Sequence, residues 1–130
     1  MPMRSPFRTG AWVVCDRFSD STRAYQGAAG GVPRSVLDAL EDVVVGPTRP
    51  DLTLVLDLAP EVGLARARAR SDRPADRFEG EDLAFHEALR AALLDIAAEE
   101  PGRCVVIDAA RPAEAVAEDI WGAVHRRLSP

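Results

Sequence analysis

The sequence predicts an α/β fold built on a parallel sheet, on the strength of two observations. Three short apolar runs, Ala11–Asp16, Leu52–Asp57 and Cys104–Asp108, are continuous rather than alternating, as expected of strands covered on both faces. The segments between and after them carry apolar residues at helical spacing. The resulting order is strand, helices, strand, helix, arginine-rich segment, helix, strand, helix. Joined by right-handed crossovers, these elements form part of a doubly wound sheet.

Met1–Gly10 holds two prolines and two arginines and is expected to be an irregular lead-in. Ala11–Asp16 is the first predicted strand. The segment that follows is helix-like, so Gly27–Gly31 (GAAGG) is expected to be a helix terminus or turn rather than a phosphate-cradling loop. Val36, Leu37, Leu40, Val43 and Val44 stripe a helix closed by Gly46-Pro47. After the second strand, Pro60 and Glu61 suit the first turn of a helix that continues through Val62–Arg70. Phe85, Leu89, Leu93 and Ile96 stripe a long helix ended by Pro101-Gly102. Beyond the third strand, Val116, Ile120 and Val124 mark a last helix beginning near Pro112. Trp12 and Trp121 are expected in or beside the core, and His86 and His125 on exposed helix surface.

At 130 residues the chain reads as one domain, 1–130, large enough to bury a core. A net charge of −5 argues against non-specific binding to nucleic acid. No apolar run approaches membrane-spanning length, and residues 1–12 lack the apolar core of a signal peptide, so no membrane partner and a cytoplasmic location are expected. Cys15 and Cys104 lie far apart without metal or C-x-x-C spacing and read as structural thiols in a reducing compartment.

The three runs each deliver an aspartate to the carboxyl edge of the sheet, where open α/β sheets bind ligands. The first also delivers Arg17. Asp16 and Arg17 together put a carboxylate for Mg²⁺ or its water beside a guanidinium for phosphate, a pairing that belongs to phosphoryl-transfer sites. Arg17 can present a planar fork to two phosphate oxygens, each charge-assisted hydrogen bond contributing about 1.5–3 kcal/mol. Tyr25 and Gln26 add a flat face and amide edges suited to a sugar and a base. Taken alone, Asp-Arg is more readily a surface ion pair. All 16 basic residues are arginine, so the sequence cannot contain the G-x-x-x-x-G-K-[ST] loop of such sites. The expectation is the later part of a nucleotide kinase whose opening part is not here.

A second constellation is Arg66, Arg68, Arg70, Arg73 and Arg77. Arg66 and Arg70 share a helix face, where like charges are mildly destabilising unless an anion sits among them. Glu61, Asp72, Asp76, Glu79 and Glu81 would equally make this a solvated, salt-bridged face.

VVCDRFSDSTRAYQGAAGGVP resembles the thymidylate kinase signature, of the form DRY/H…S-x-x-A-Y-Q-G-x-x-R-G. RPDLTLVLDLAPEVGLARARAR is similar to the next strand and helix of that family, and DRFE at Asp76–Glu79 to the end of its lid. The likeness runs from about Gly10 to Arg127. It implies the latter three strands, with flanking helices, of a P-loop NTPase-type doubly wound sheet, the absent first strand lying between the first two present. It implies ATP-dependent phosphorylation of dTMP to dTDP with Mg²⁺, and a homodimer as the family's usual state. Carried over by position, it implies that Asp16 organises Mg²⁺ indirectly, through water, and that Arg17 holds the acceptor phosphate. Thr22 and Gln26 would sit near thymine, and Tyr25 by the deoxyribose, where a 2′-hydroxyl would clash. The segment 66–79 would be the lid, with Arg70 and Arg77 catalytic and Arg66 and Arg73 on the phosphates. The chain departs from the pattern in three places: Gly30 where the family often has Arg, Leu93 where it often has Tyr, and Phe18 for Tyr or His. A rival of another class is a non-catalytic nucleotide-binding or interaction module derived from such a kinase.

Overall fold

The computed structural model describes residues 11–28, 30–70 and 83–129. In order the elements are α1 (Ser19–Ala28), α2 (Arg34–Val44), a 3₁₀ turn (Gly46–Thr48), β1 (Thr53–Asp57), α3 (Pro60–Arg70), α4 (Leu83–Glu99), β2 (Cys104–Asp108) and α5 (Ala113–Leu128). The predicted lead-in 1–10 lies outside the described residues, as do Arg73, Arg77 and the DRFE segment.

β1 and β2 pair in parallel and in register, from Thr53 against Cys104 to Asp57 against Asp108. The two aspartates therefore stand side by side at the carboxyl edge. The strands' β-branched and leucine residues pack against α4, whose Ile96 and Ala97 are buried with Ile107 and Cys104. Pro60 opens α3 where its missing N–H costs nothing, and α5 follows directly on Pro112.

Where three strands are predicted, the described residues form two. Ala11–Asp16 joins no ladder, and the reason lies in the pairing rather than in the sequence of the run. A strand persists only where a neighbour takes its backbone groups, and β1 offers its ladder to β2 alone. Val14 is accordingly 94% exposed, and Trp12 lies on the surface instead of in the core. Trp121 is exposed as well, against the ring of His125. Cys104 is buried as expected of a structural thiol, whereas Cys15 is exposed.

α2 turns a different face inward from the one its stripe predicts. Leu37, Glu41 and Val45 are buried, while Val36, Leu40, Val43 and Val44 face solvent. Glu41 is drawn in by charge. Its carboxylate lies 3.0 Å from the buried guanidinium of Arg23 and accepts a 2.8 Å bond from Ser19. Arg23 also reaches Asp20 and Asp38, both at 2.9 Å, and Glu100 at 3.3 Å. Arg103 completes the cluster with bonds to Asp20, Glu100 and Thr53. This network ties α1 to α2, to the end of α4 and to the amino-terminal edge of both strands.

Val14, Val36, Leu40, Val43, Val44, Leu56 and Val106 together leave much apolar surface in water. Purified alone, the 130-residue chain is expected to aggregate, to bind hydrophobic dyes strongly, or to run as an oligomer. A monodisperse monomer with a sharp cooperative melt at micromolar concentration would contradict this.

Candidate functional site

The turn from the first apolar run into α1 sets the site. Arg17 adopts φ +62°, a left-handed conformation that side chains other than glycine seldom take. The turn closes with the Ser21 N–H donating to the Phe18 carbonyl at 3.1 Å. Asp16 and Arg17 are both exposed at this turn.

α1 divides its side chains sharply. Asp20, Arg23 and Ala24 point into the charge network and the core. With that face fixed, Thr22 and Gln26 are left on the exposed face and Tyr25 half-buried. Spacing of i, i+3 and i+4 keeps the three together. The guanidinium of Arg17 lies 6.0 Å from the centre of the Tyr25 ring, within reach of a cation–π attraction. Arg17, Thr22, Tyr25 and Gln26 are thus presented from one turn and one helix.

α1 ends in a tight turn, as the GAAGG run predicts. The Gly30 N–H donates to the Tyr25 carbonyl and the Val32 N–H to the Gln26 carbonyl, and Gly31 takes φ +66°. A Cβ on Gly30 would stand 2.8 Å from the Gln26 carbonyl oxygen and 2.9 Å from its side-chain oxygen. The turn is therefore closed to an arginine at this position unless its backbone shifts.

The other carboxyl-edge aspartates are engaged by the protein itself. Asp57 takes a two-pronged contact from Arg90 of α4, at 2.7 and 3.0 Å, and that bond holds its carboxyl below the usual range. Asp108 accepts the Ala110 N–H at 2.9 Å. Asp16, on the turn before α1, is exposed like Asp108. Its chemistry suits Mg²⁺, which takes hard oxygen ligands, keeps several waters and is held by one or two carboxylates plus substrate phosphates. Among the described residues no group of three or more His, Cys, Asp or Glu could hold a metal without such help.

Of the arginines on α3, Arg66 donates to the Ala109 carbonyl just past β2, at 2.7 Å, while Arg68 and Arg70 are exposed. Arg66, exposed like the other two, is tethered by this one bond to the loop just past β2. Phe85, with its ring centre 5.7 Å from that of Tyr25, is a site neighbour that the sequence stripe hid, and the Arg90–Asp57 contact was hidden too. Arg90 sits beside the apolar series Leu89–Leu93, and its signal is that it is the sole basic residue of α4. His86, expected on open surface, is half-buried beside the Phe85 ring.

The model of the thymidylate kinase family matches residues 5–120. A thymidylate kinase of Bradyrhizobium sp. (strain ORS 278) is 58% identical over 120 residues, which are 92% of this chain and 53% of that protein. One from Nitrobacter winogradskyi is 56% identical over 119 residues, 91% of this chain and 52% of that protein. The crystal structure of thymidylate kinase from Ehrlichia chaffeensis superposes with a TM-score of 0.70 at 26% identity, covering 94% of this chain and 56% of the other. The chain spans about half the length of the curated relatives it matches. Among the described residues no helix is long and apolar enough to cross a membrane.

Proposed function

The chain belongs to the thymidylate kinase family, and from that premise we propose that it carries the acceptor side of a dTMP kinase. The reaction is transfer of the γ-phosphoryl of ATP to dTMP, giving dTDP and ADP in the cytoplasm, in a homodimer. The observation that carries this is the grouping of Arg17 over Tyr25, with Thr22 and Gln26 on the same helix face.

Arg17 holds the acceptor phosphate through its planar fork and keeps it oriented for attack. Gln26 and Thr22 offer hydrogen-bonding groups to the thymine edge, and the Tyr25 ring lies against the sugar. Asp16 orients the water shell of the cation. Mg²⁺, when bound with ATP, offsets charge on the phosphoryl oxygens. By the family resemblance, Arg70 and Arg77 supply charge to the transferred group and Arg66 and Arg73 bind the phosphates.

The test is nucleotide binding by the soluble fraction of the 130-residue chain, monomer or oligomer, isolated by gel filtration. Tyr25 is the sole tyrosine, so its ring resonances report on the site without ambiguity. dTMP should shift them, and AMP should do so far more weakly. Failure of dTMP to bind would overturn the acceptor assignment, and equal binding of dTMP and AMP would favour the non-catalytic nucleotide-binding module. A coupled ADP-release assay on this lysine-free chain should show no turnover, because no P-loop lysine fixes the β- and γ-phosphates in line.

A further inference from the structure

Among the described residues, Tyr25 has two neighbours that bear on where its ring points. One is Arg17, exposed and on a flexible stem 6.0 Å away. The other is Phe85, in the first turn of α4, with its ring centre 5.7 Å from that of Tyr25 and the planes tilted by 54°. Phe85 is half-buried, and its own ring lies 5.4 Å from His86 at a steep angle. α4 is pinned independently of the site, through the Arg90–Asp57 contact at the strand edge and through Ile96 and Ala97 in the core. Of the two neighbours, then, only Phe85 stands on a fixed element. A phenol ring has two rotatable bonds, and tilted aromatic contacts favour particular ring angles.

We infer that Phe85 is a positioning residue for Tyr25: it sets the tilt of the phenol ring and through it the rejection of a 2′-hydroxyl on the acceptor sugar. The inference rests on the acceptor assignment proposed above. Phe85 touches no substrate in this role. It acts by leaving Tyr25 one orientation, in which the space beside C2′ of the sugar is filled. It also links the site to the helix that immediately follows residues 71–82, so the same ring contact couples the acceptor pocket to the start of α4.

The experiment compares dTMP with the ribose form, 5-methyluridine monophosphate, binding to the soluble fraction of the 130-residue chain and its variants isolated by gel filtration, with the Tyr25 ring resonances as second readout. The wild-type chain should prefer dTMP. Phe85→Leu should reduce that preference about three- to tenfold, the scale of a lost aromatic pair, and should shift the Tyr25 ring signals before any nucleotide is added. Phe85→Tyr should retain both. Leu89→Ala, a half-buried α4 position, should lower stability without changing the ratio, which separates positioning from general loosening of the helix. Should Phe85→Leu fail to fold, Phe85→Met, which fills the site with a pliable chain, gives the same comparison. An unchanged ratio with unchanged Tyr25 signals in a folded Phe85 variant would overturn the inference alone. A wild-type chain that binds neither nucleotide would overturn the acceptor assignment and this inference together.

Discussion

Arg23→Met is expected to destabilise the chain by about 3–5 kcal/mol, a large share of the total for a domain this small. Arg23 is 7% exposed and faces Asp20, Asp38, Glu41 and Glu100 within 3.3 Å. Removing it leaves the Glu41 carboxylate, only 3% exposed, with Arg49 at 3.5 Å as its remaining cation. An uncompensated buried charge costs far more than the net worth of the pair it came from. Arg34→Ala should cost less than about 1 kcal/mol, since its pairs with Asp38 and Glu99 stand in water. The double variant Arg23→Met/Glu41→Leu should recover part of the loss, because it removes the stranded charge together with its partner. Urea melts of the three variants, made in the chain extended to include a P-loop, check this, and an Arg23→Met chain as stable as its parent would show that the network is not holding α1 in place. Acid has the same target. The Arg103 hydrogen bond holds the Glu100 carboxyl at about 2, below its ordinary 4.5. A depressed carboxyl adds stability above its unfolded value and loses it as pH falls through the folded one. Stability should therefore decline as pH drops from about 4.5 toward about 2, and the decline should flatten in Glu100→Gln.

This network also marks where the sequence stops being legible. Asp20 meets Arg103 across 83 positions, and Arg23 meets Glu100 across 77. No local pattern announces such pairs, and a helix whose buried face is charged reads from its sequence as a surface helix. The first apolar run departs in the opposite way. Ala11–Asp16 has the composition of a strand, and composition cannot say whether a neighbour is there to pair with it. β1 and β2 were legible because each run also found its partner. The stripe on α2 was read from hydrophobicity alone, and the pull of Arg23 on Glu41 rotates the helix away from it. The residues proposed for the acceptor come together for a local reason: Arg17, Thr22, Tyr25 and Gln26 lie within one turn and one helix. Phe85 joins them from 60 positions on, and its place in a helical stripe gave no sign of Tyr25. Asp57 was correctly placed at the strand's carboxyl edge, but its partner Arg90 lies 33 positions on, and nothing in either residue's neighbourhood points to the other.

In a version of the chain extended to include a P-loop, Arg17→Ala should lower kcat/KM for dTMP by about two or more powers of ten. Two charge-assisted hydrogen bonds to the acceptor phosphate, about 3 kcal/mol together, set that scale. Arg17→Lys should restore only part, because an ammonium lacks the planar fork and cannot take two phosphate oxygens at once. Folding stability should move the other way. Arg17 is exposed and sits at φ +62°, where any residue with a Cβ is strained. Arg17→Gly relieves that strain, so it should leave the melt unchanged or raise it while abolishing the same contacts as Arg17→Ala. A purely structural arginine would behave in the reverse sense, costing stability when removed and sparing turnover in whatever remained folded. The pair of measurements, thermal melt and kcat/KM on Arg17→Gly, therefore separates the two roles in one variant. Full activity in Arg17→Gly would return Arg17 to the surface and leave the strained turn without a function. Loss of activity in a fully stable protein would assign the strain to the site, since a left-handed arginine survives where the position of its guanidinium is worth more than the backbone energy it costs.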